Sequence, residues 1–256
     1  MALGVRTGLD CFLLIDGIDL SDDHAAISSI SSPRQTFDKP GLRHRAMRRI
    51  YGKKDGMGEL SVYFNPATNA AHDQLSTLPA ADRELMLGVA PELGAAAWCM
   101  RYKQIGYDGS RPNDGDLMFG YQAQANGLGL DCGKLLTAGK RTDTTATNGT
   151  GVDQLVDTLA TGSYAFGLQA FLQVTAFTGT NCTVKLQESS DNGAGDAWTD
   201  VTGGAFTAVT AAPYTQRIQT GLTQTVERYL RVVTTGTFTS ITFAVMAHRN
   251  EAAFVA

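Results

Sequence analysis

His72, Asp73 and Ser76 are the first residues in this chain whose types could do chemistry together: a base, an acid to orient it and a hydroxyl nucleophile. Their spacing denies it. A helix is expected over "NPATNAAHDQLSTLP", residues 65–79, and adjacent helix residues do not face each other. No nucleophile elbow of the G-x-S-x-G kind is present. "GLGLDCGKLL" carries glycines at 127, 129 and 133 with Leu135 after the lysine, whereas a phosphate loop needs G-x-x-x-x-G-K-[ST]. "SDNGAGD", residues 190–196, has calcium-type oxygens near glycines but neither the acidic spacing nor the closing Glu of a calcium loop. A hairpin turn explains it more simply. "DGSRPNDGD", residues 108–116, holds three acids in another turn. Cys11, Cys99, Cys132 and Cys182 form no C-x-x-C pair and read as reduced fillers among small or apolar neighbours. No catalytic residue, metal site or cofactor is expected, and the chain reads as a non-enzyme.

The strongest local signal is "GLRHRAMRRIYGKKDGMGEL", residues 41–60. Arg43, Arg45, Arg48, Arg49, Lys53 and Lys54 crowd into it, in a chain with 21 Lys and Arg and a net charge of −4. Nucleic-acid binding is one use for such a cluster, but only Tyr51 is at hand for stacking, and an acidic chain lacks the cationic surplus that phosphate binding needs. A merely solvated loop is a second reading, though it gains little from packing like charges together. The third reading is an assembly surface. There the cations would meet acids of a neighbouring copy, either "DGIDLSDD" (16–23) or the 108–116 turn, and charge would set the register between subunits.

These residues need elements to hold them, and the elements read as strands. In the second half, Tyr164, Phe166, Leu168, Leu172 and Val174 keep one parity while Gln169, Gln173 and Thr175 keep the other. "TVKLQESS", "RYLRVVTTG" and "SITFAVMAHR" alternate in the same way. Turn clusters such as "SSDNGAGDA" and "TTGTFT" are expected to separate them, which is the pattern of an antiparallel β-sandwich with Trp198 over an open end. In the first half, strands are expected over 12–20, 25–37, 58–64, 83–89, 97–107 and 117–130. The single helix is expected to have Asn65 as N-cap and Pro66 in its first turn. "TAGKRTDTTATNGTGVD", residues 137–153, has almost no large apolar side chain and reads as a linker. The expected division is a first domain at 1–140, a Thr/Gly-rich linker at 141–153 and a C-terminal β-sandwich at 154–256. Up to residue 150 there are 16 basic and 17 acidic residues, and beyond it 5 and 8, so positive charge belongs to the first half. No apolar run reaches the roughly 20 residues of a membrane span. The run Cys11–Ile15 is too short for a secretion signal, so folding in a cytoplasm is expected.

The order of motifs in residues 10–140 resembles the major tail tube proteins of long-tailed (siphovirus-type) bacteriophages. The matching features are a strand ending in Thr36-Phe37, a Gly- and Arg-bearing loop, "GKKDG" (52–56), "SVYFN" (61–65) running into a short helix, and "LPAADRELMLGV" (78–89). "VKLQESSDNGAGDAWTDV" and "ERYLRVVTTGTFTSITFAV" are similar to β-sandwich decoration modules of phage structural proteins. The resemblance implies a mainly β fold, with a tail-tube-type β-sandwich or barrel flanked by one α-helix and then a second sandwich. It implies hexameric rings stacked into a hollow tube through which DNA passes without specific binding. Strands of each subunit would pair around the ring, closing edges that are otherwise hazards. It places Arg43, Arg45, Arg48, Arg49, Lys53 and Lys54 at the ring–ring contact. The implied partners are further copies, a tape measure protein and a tail terminator, with no membrane; the place is the virion, assembled in the host cytoplasm. A carbohydrate-binding or adhesion protein using Trp198 and Tyr214 is the first alternative. Another phage structural protein, a connector or capsid decoration, is the second.

Overall fold

A computed structural model describes residues 8–43, 45–113, 115–155 and 165–250, so Tyr164 and Asp114 lie outside the described residues. The fold is mainly β, as expected. In chain order the strands begin β1 (Phe12–Ile15), β2 (Ile18–Asp19), β3 (His24–Ser31), β4 (Arg34–Asp38), β5 (Arg49–Lys54) and β6 (Met57–Tyr63). After helix α1 (Ala71–Leu75) come β7 (Arg83–Gly88), β8 (Ala96–Ser110), β9 (Met118–Ala125), β10 (Asp131–Leu135), β11 (Arg141–Asp143) and β12 (Val152–Asp153). The chain ends with β13 (Leu168–Ser189), β14 (Thr199–Ala205), β15 (Tyr214–Gln219) and β16 (Tyr229–Arg249).

Contacts divide the chain into two compact units. The larger gathers the described residues of Met1–Asp22, Glu84–Cys99 and Cys132–Val255; the smaller holds Asp23–Arg83 and Met100–Asp131. This grouping differs from the linear division into 1–140 and 154–256. The reason is visible in one apolar cluster of the larger unit, where Phe12, Leu14 and Met86 pack with Leu135, Phe171 and Met246. Alternation in the sequence tells which side chains are buried, but not which distant strand buries them.

The larger unit is built on one ribbon. β13 and β16 pair antiparallel from Leu168↔Arg249 to Ser189↔Tyr229, with register shifts around Gly179. Gly179 (φ 153°) and Gly236 (φ 132°) allow a bend there. Both halves of the ribbon then feed one core, in which Leu172 and Val245 share a cluster with Val184 and Leu230. "TTGTFT" is therefore no turn between strands but part of the continuous β16. The expected linker is likewise corrected. β11 and β12 both pair with β16, and their side chains join in, Thr142 meeting Thr242 at 2.9 Å and Asp143 accepting from the Thr234 hydroxyl at 2.7 Å. Arg228 grips Asp153 of β12 through two hydrogen bonds, at 2.9 and 2.6 Å, and holds its carboxyl below the usual range.

The smaller unit is an antiparallel sheet in the order β3, β6, β9, β8. β6 alternates strictly: Gly58, Leu60 and Val62 are buried, Glu59 and Ser61 less so. Under it Tyr102 and Tyr121 pack edge to face, ring centres 5.9 Å apart. The helix is shorter than expected. Asn69 stands at φ 62°, so helical geometry begins only after Ala70. Asn65 does not cap it. Instead Asp23 accepts from the Ala71 N–H at 2.8 Å and from Asn65 Nδ2 at 2.7 Å, a carboxylate from another strand end replacing the local amide.

Candidate assembly interface

The basic stretch expected as a loop is largely a hairpin. β4 and β5 pair only with each other among the described residues, forming a two-stranded arm that belongs to no larger sheet. Every residue of β4 is exposed. The arm leaves the sheet between Ser31 of β3 and Met57 of β6, and its root is pinned. The Asp55 N–H donates to the Pro33 carbonyl at 2.9 Å, and Lys54 Nζ donates to Asp131 Oδ1 at 2.9 Å.

The structure separates the six cations expected to act together. Arg43 and Arg45 lie exposed in the connecting loop, and Arg48 leads from it into β5. Arg49 opens β5 and meets Asp38 across the hairpin at 3.2 Å, both side chains more than half exposed. Such a pair is worth little, since water screens it. Lys53 is exposed. Lys54 is the exception, turning inward to Asp131, which is only 3% exposed, so it serves the unit's own fold. Arg34 and Lys39, which the sequence reading passed over, extend the basic surface along the arm.

Charge is half of the surface. Phe37, Leu42, Met47, Ile50 and Tyr51 are all exposed on the same arm, Tyr51 at 74%. The sequence held this signal, but arginines at almost every second position hid the apolar residues between them. A groove of about 790 Å³ opens at the root, lined among others by Arg34, Lys53, Lys54, Asp55, Ala125 and Leu128.

The other sequence candidates resolve into structure. The His72 ring sits among Phe64, Tyr107 and Phe119, at centroid distances of 4.6, 5.8 and 5.8 Å. Asp73 turns back to the Asn69 N–H (3.0 Å) and Gln74 (2.9 Å), so no charge relay forms. Asp191 accepts from the backbone N–H groups of Ala194, Gly195 and Asp196, which makes residues 190–196 a self-capped hairpin turn. Among the described residues no group of three or more His, Cys, Asp or Glu is placed to hold a metal. Cys99 and Cys182 are buried, but Cys132 is exposed. Trp198 is half-buried beneath the Arg231 guanidinium, 4.6 Å from its ring centre, and Tyr214 donates its hydroxyl to Gln216. Neither presents a bare platform.

No family model matches the chain, and no curated protein does. Solved structures do. One from the virion of a native gene transfer agent particle aligns with a TM-score of 0.41 and 15% identity, over 50% of this chain and 98% of its own. One from the tail of an empty gene transfer agent particle, with C6 symmetry, gives 0.38 and 16%, over 49% and 97%. The Dit protein of phage SPP1, from a hub adsorption apparatus, gives 0.32 and 10%, over 93% and 98%. Identities this low and TM-scores this small leave the role of this chain to be argued from its own residues.

Proposed function

We propose that this chain is a structural subunit of a phage-type tail, forming hexameric rings that stack into a tube through which DNA is ejected. Its partners are further copies of itself and other tail proteins, and DNA slides past without specific binding. The ribbon of β13 and β16 builds a decoration rather than a part of the conduit. The reading rests on one observation above all: the β4–β5 arm is a bare hairpin coated with exposed apolar and cationic side chains. A two-stranded hairpin is marginal in water, and five exposed large apolar residues on it represent burial that only another molecule can complete. The motif order of residues 10–140 agrees with this.

A second feature supports ring closure. β3 pairs with β6 and with no other strand among the described residues, so one edge of the sheet is open. Natural edges are usually blunted by lysine or proline, and β3 ("HAAISSIS") carries neither. Five of its eight side chains are Ala or Ser, which admit a neighbour's backbone, and pairing around a ring would remove the edge.

Electron microscopy of the concentrated protein is expected to show six-fold rings and tubes. The variant Arg48→Glu/Arg49→Glu is expected to fold with an unchanged thermal midpoint and to form no tubes. Normal long tubes from this variant would remove the arm from the contact, and a wild-type chain that sediments as a monomer at every concentration would end the reading.

A further inference from the structure

We propose that the arm docks head to tail, its cationic and apolar surface seating on the β8–β9 tip at the opposite end of the next copy's sheet. This deepens the proposed function and rests on it, since it names which surface of the neighbour receives the arm. The first observation is topological. In the β3–β6–β9–β8 sheet, Ser31, Met57, Gln124 and Tyr102 mark one end, while His24, Tyr63, Met118 and Ser110 mark the other. The arm is rooted at the first end and the β8–β9 tip at the second. β6 spans seven residues, so the two ends are roughly 20 Å apart along the strands.

The two ends are chemically opposite. The tip carries Asp108 and Asp116, both exposed and without an ion pair among the described residues, with Arg111 as its cation. Beside them Tyr63, Phe64 and Leu117 are exposed. The Phe64 N–H donates to the Leu117 carbonyl at 3.0 Å, which fixes this apolar patch against the tip. One end is therefore apolar with a surplus of cations, the other apolar beside two carboxylates and one arginine. A surface that fits a different surface of an identical copy makes a heterologous contact, which extends into filaments instead of closing a pair.

The rival acidic segment, residues 16–23, is engaged at three of its four carboxylates, Asp22 being the exposed one. Asp16 accepts from the Glu84 N–H at 2.8 Å, Asp19 binds Ser21 and Lys140, and Asp23 caps α1. Carboxylates held in this way would have to abandon internal partners to meet an arm. Asp108 and Asp116 would not.

Charge swapping tests the proposal. One variant carries Asp108→Lys/Asp116→Lys, the other Arg48→Glu/Arg49→Glu, both checked for unchanged circular dichroism and thermal midpoint. Each alone is expected to lose tube elongation, followed by light scattering and electron microscopy, because like charges face each other. Mixed one to one they are expected to regain it, since each arm then meets an opposite tip; the four-fold variant should also elongate alone. If the tip variant elongates like wild type while the arm variant does not, the docking surface is wrong and the proposed function stands. Failure of both the mixture and the four-fold variant to elongate overturns the pairing as well. Absence of tubes from the wild type would instead strike the proposed function.

Discussion

Lys53 and Lys54 are neighbours in sequence with opposite duties. Lys53 points to water, while Lys54 reaches the carboxylate of Asp131, and the pair is mostly withdrawn from solvent at 18% and 3% exposure. Taking away one partner of a buried pair costs about 3–5 kcal/mol when burial is complete. Lys54 keeps some solvent, so Lys54→Met is expected to destabilise by about 2 kcal/mol in urea unfolding. Lys53→Met should stay within about 0.5 kcal/mol, as exposed substitutions do. Equal effects would show that the two lysines share one role. Composition alone could not separate them, because the deciding residue, Asp131, lies 77 positions away. The same blindness hid Asp23 as the cap of α1. The sequence displays a good local N-cap in Asn65, and only the fold shows a better acceptor brought beside the Ala71 N–H.

At the scale of elements, the β13–β16 ribbon depends on two glycines. A Cβ on Gly236 would stand 2.5 Å from the Asn181 carbonyl oxygen, at a φ of 132° that other residues rarely adopt. Gly236→Ala should therefore cost at least about 2 kcal/mol, from strain plus a backbone clash. In a protein of this size that lowers the thermal midpoint by roughly 5 °C or more, measurable by calorimetry. Gly127→Ala, also at positive φ but with nothing within 4 Å, isolates the conformational share and should cost less. An undisturbed midpoint for Gly236→Ala would mean the ribbon does not bend there. The strands themselves were legible, since Leu168 to Val174 and Ile241 to Ala247 alternate in type, but their burial on both faces, Gln169 and Gln173 included, was not. What could not be read was continuity. "TTGTFT" has turn composition, yet its backbone keeps pairing with β13 through the bend, and pairing leaves no trace in side-chain type.

At the scale of the whole molecule, the mainly β class followed from local patterns, whereas the grouping into units followed from long-range pairing that no local pattern encodes. Phe12 belongs with Met246 because a strand early in the chain completes a core built late in it. The candidate interface was legible as a cationic cluster and illegible as a hairpin, since a strand such as β4 that buries neither face leaves no apolar–polar alternation to read. The two proposed contacts also differ in kind, and the difference is measurable. Pairing along β3 is backbone hydrogen bonding with little charge nearby. Docking of the arm on Asp108 and Asp116 is charge-steered. At about 1 M salt the Debye length shrinks to about 3 Å, so exposed charges on approaching surfaces no longer guide one another. Steered association then falls towards its unsteered rate, while apolar burial already formed is not weakened. Raising sodium chloride from about 0.05 to 1 M should therefore slow tube elongation by tenfold or more while leaving rings intact in sedimentation and electron microscopy. Elongation indifferent to salt would show that the cations on the arm do not set the register, and rings dissolving before tubes would reverse the assignment of the two contacts.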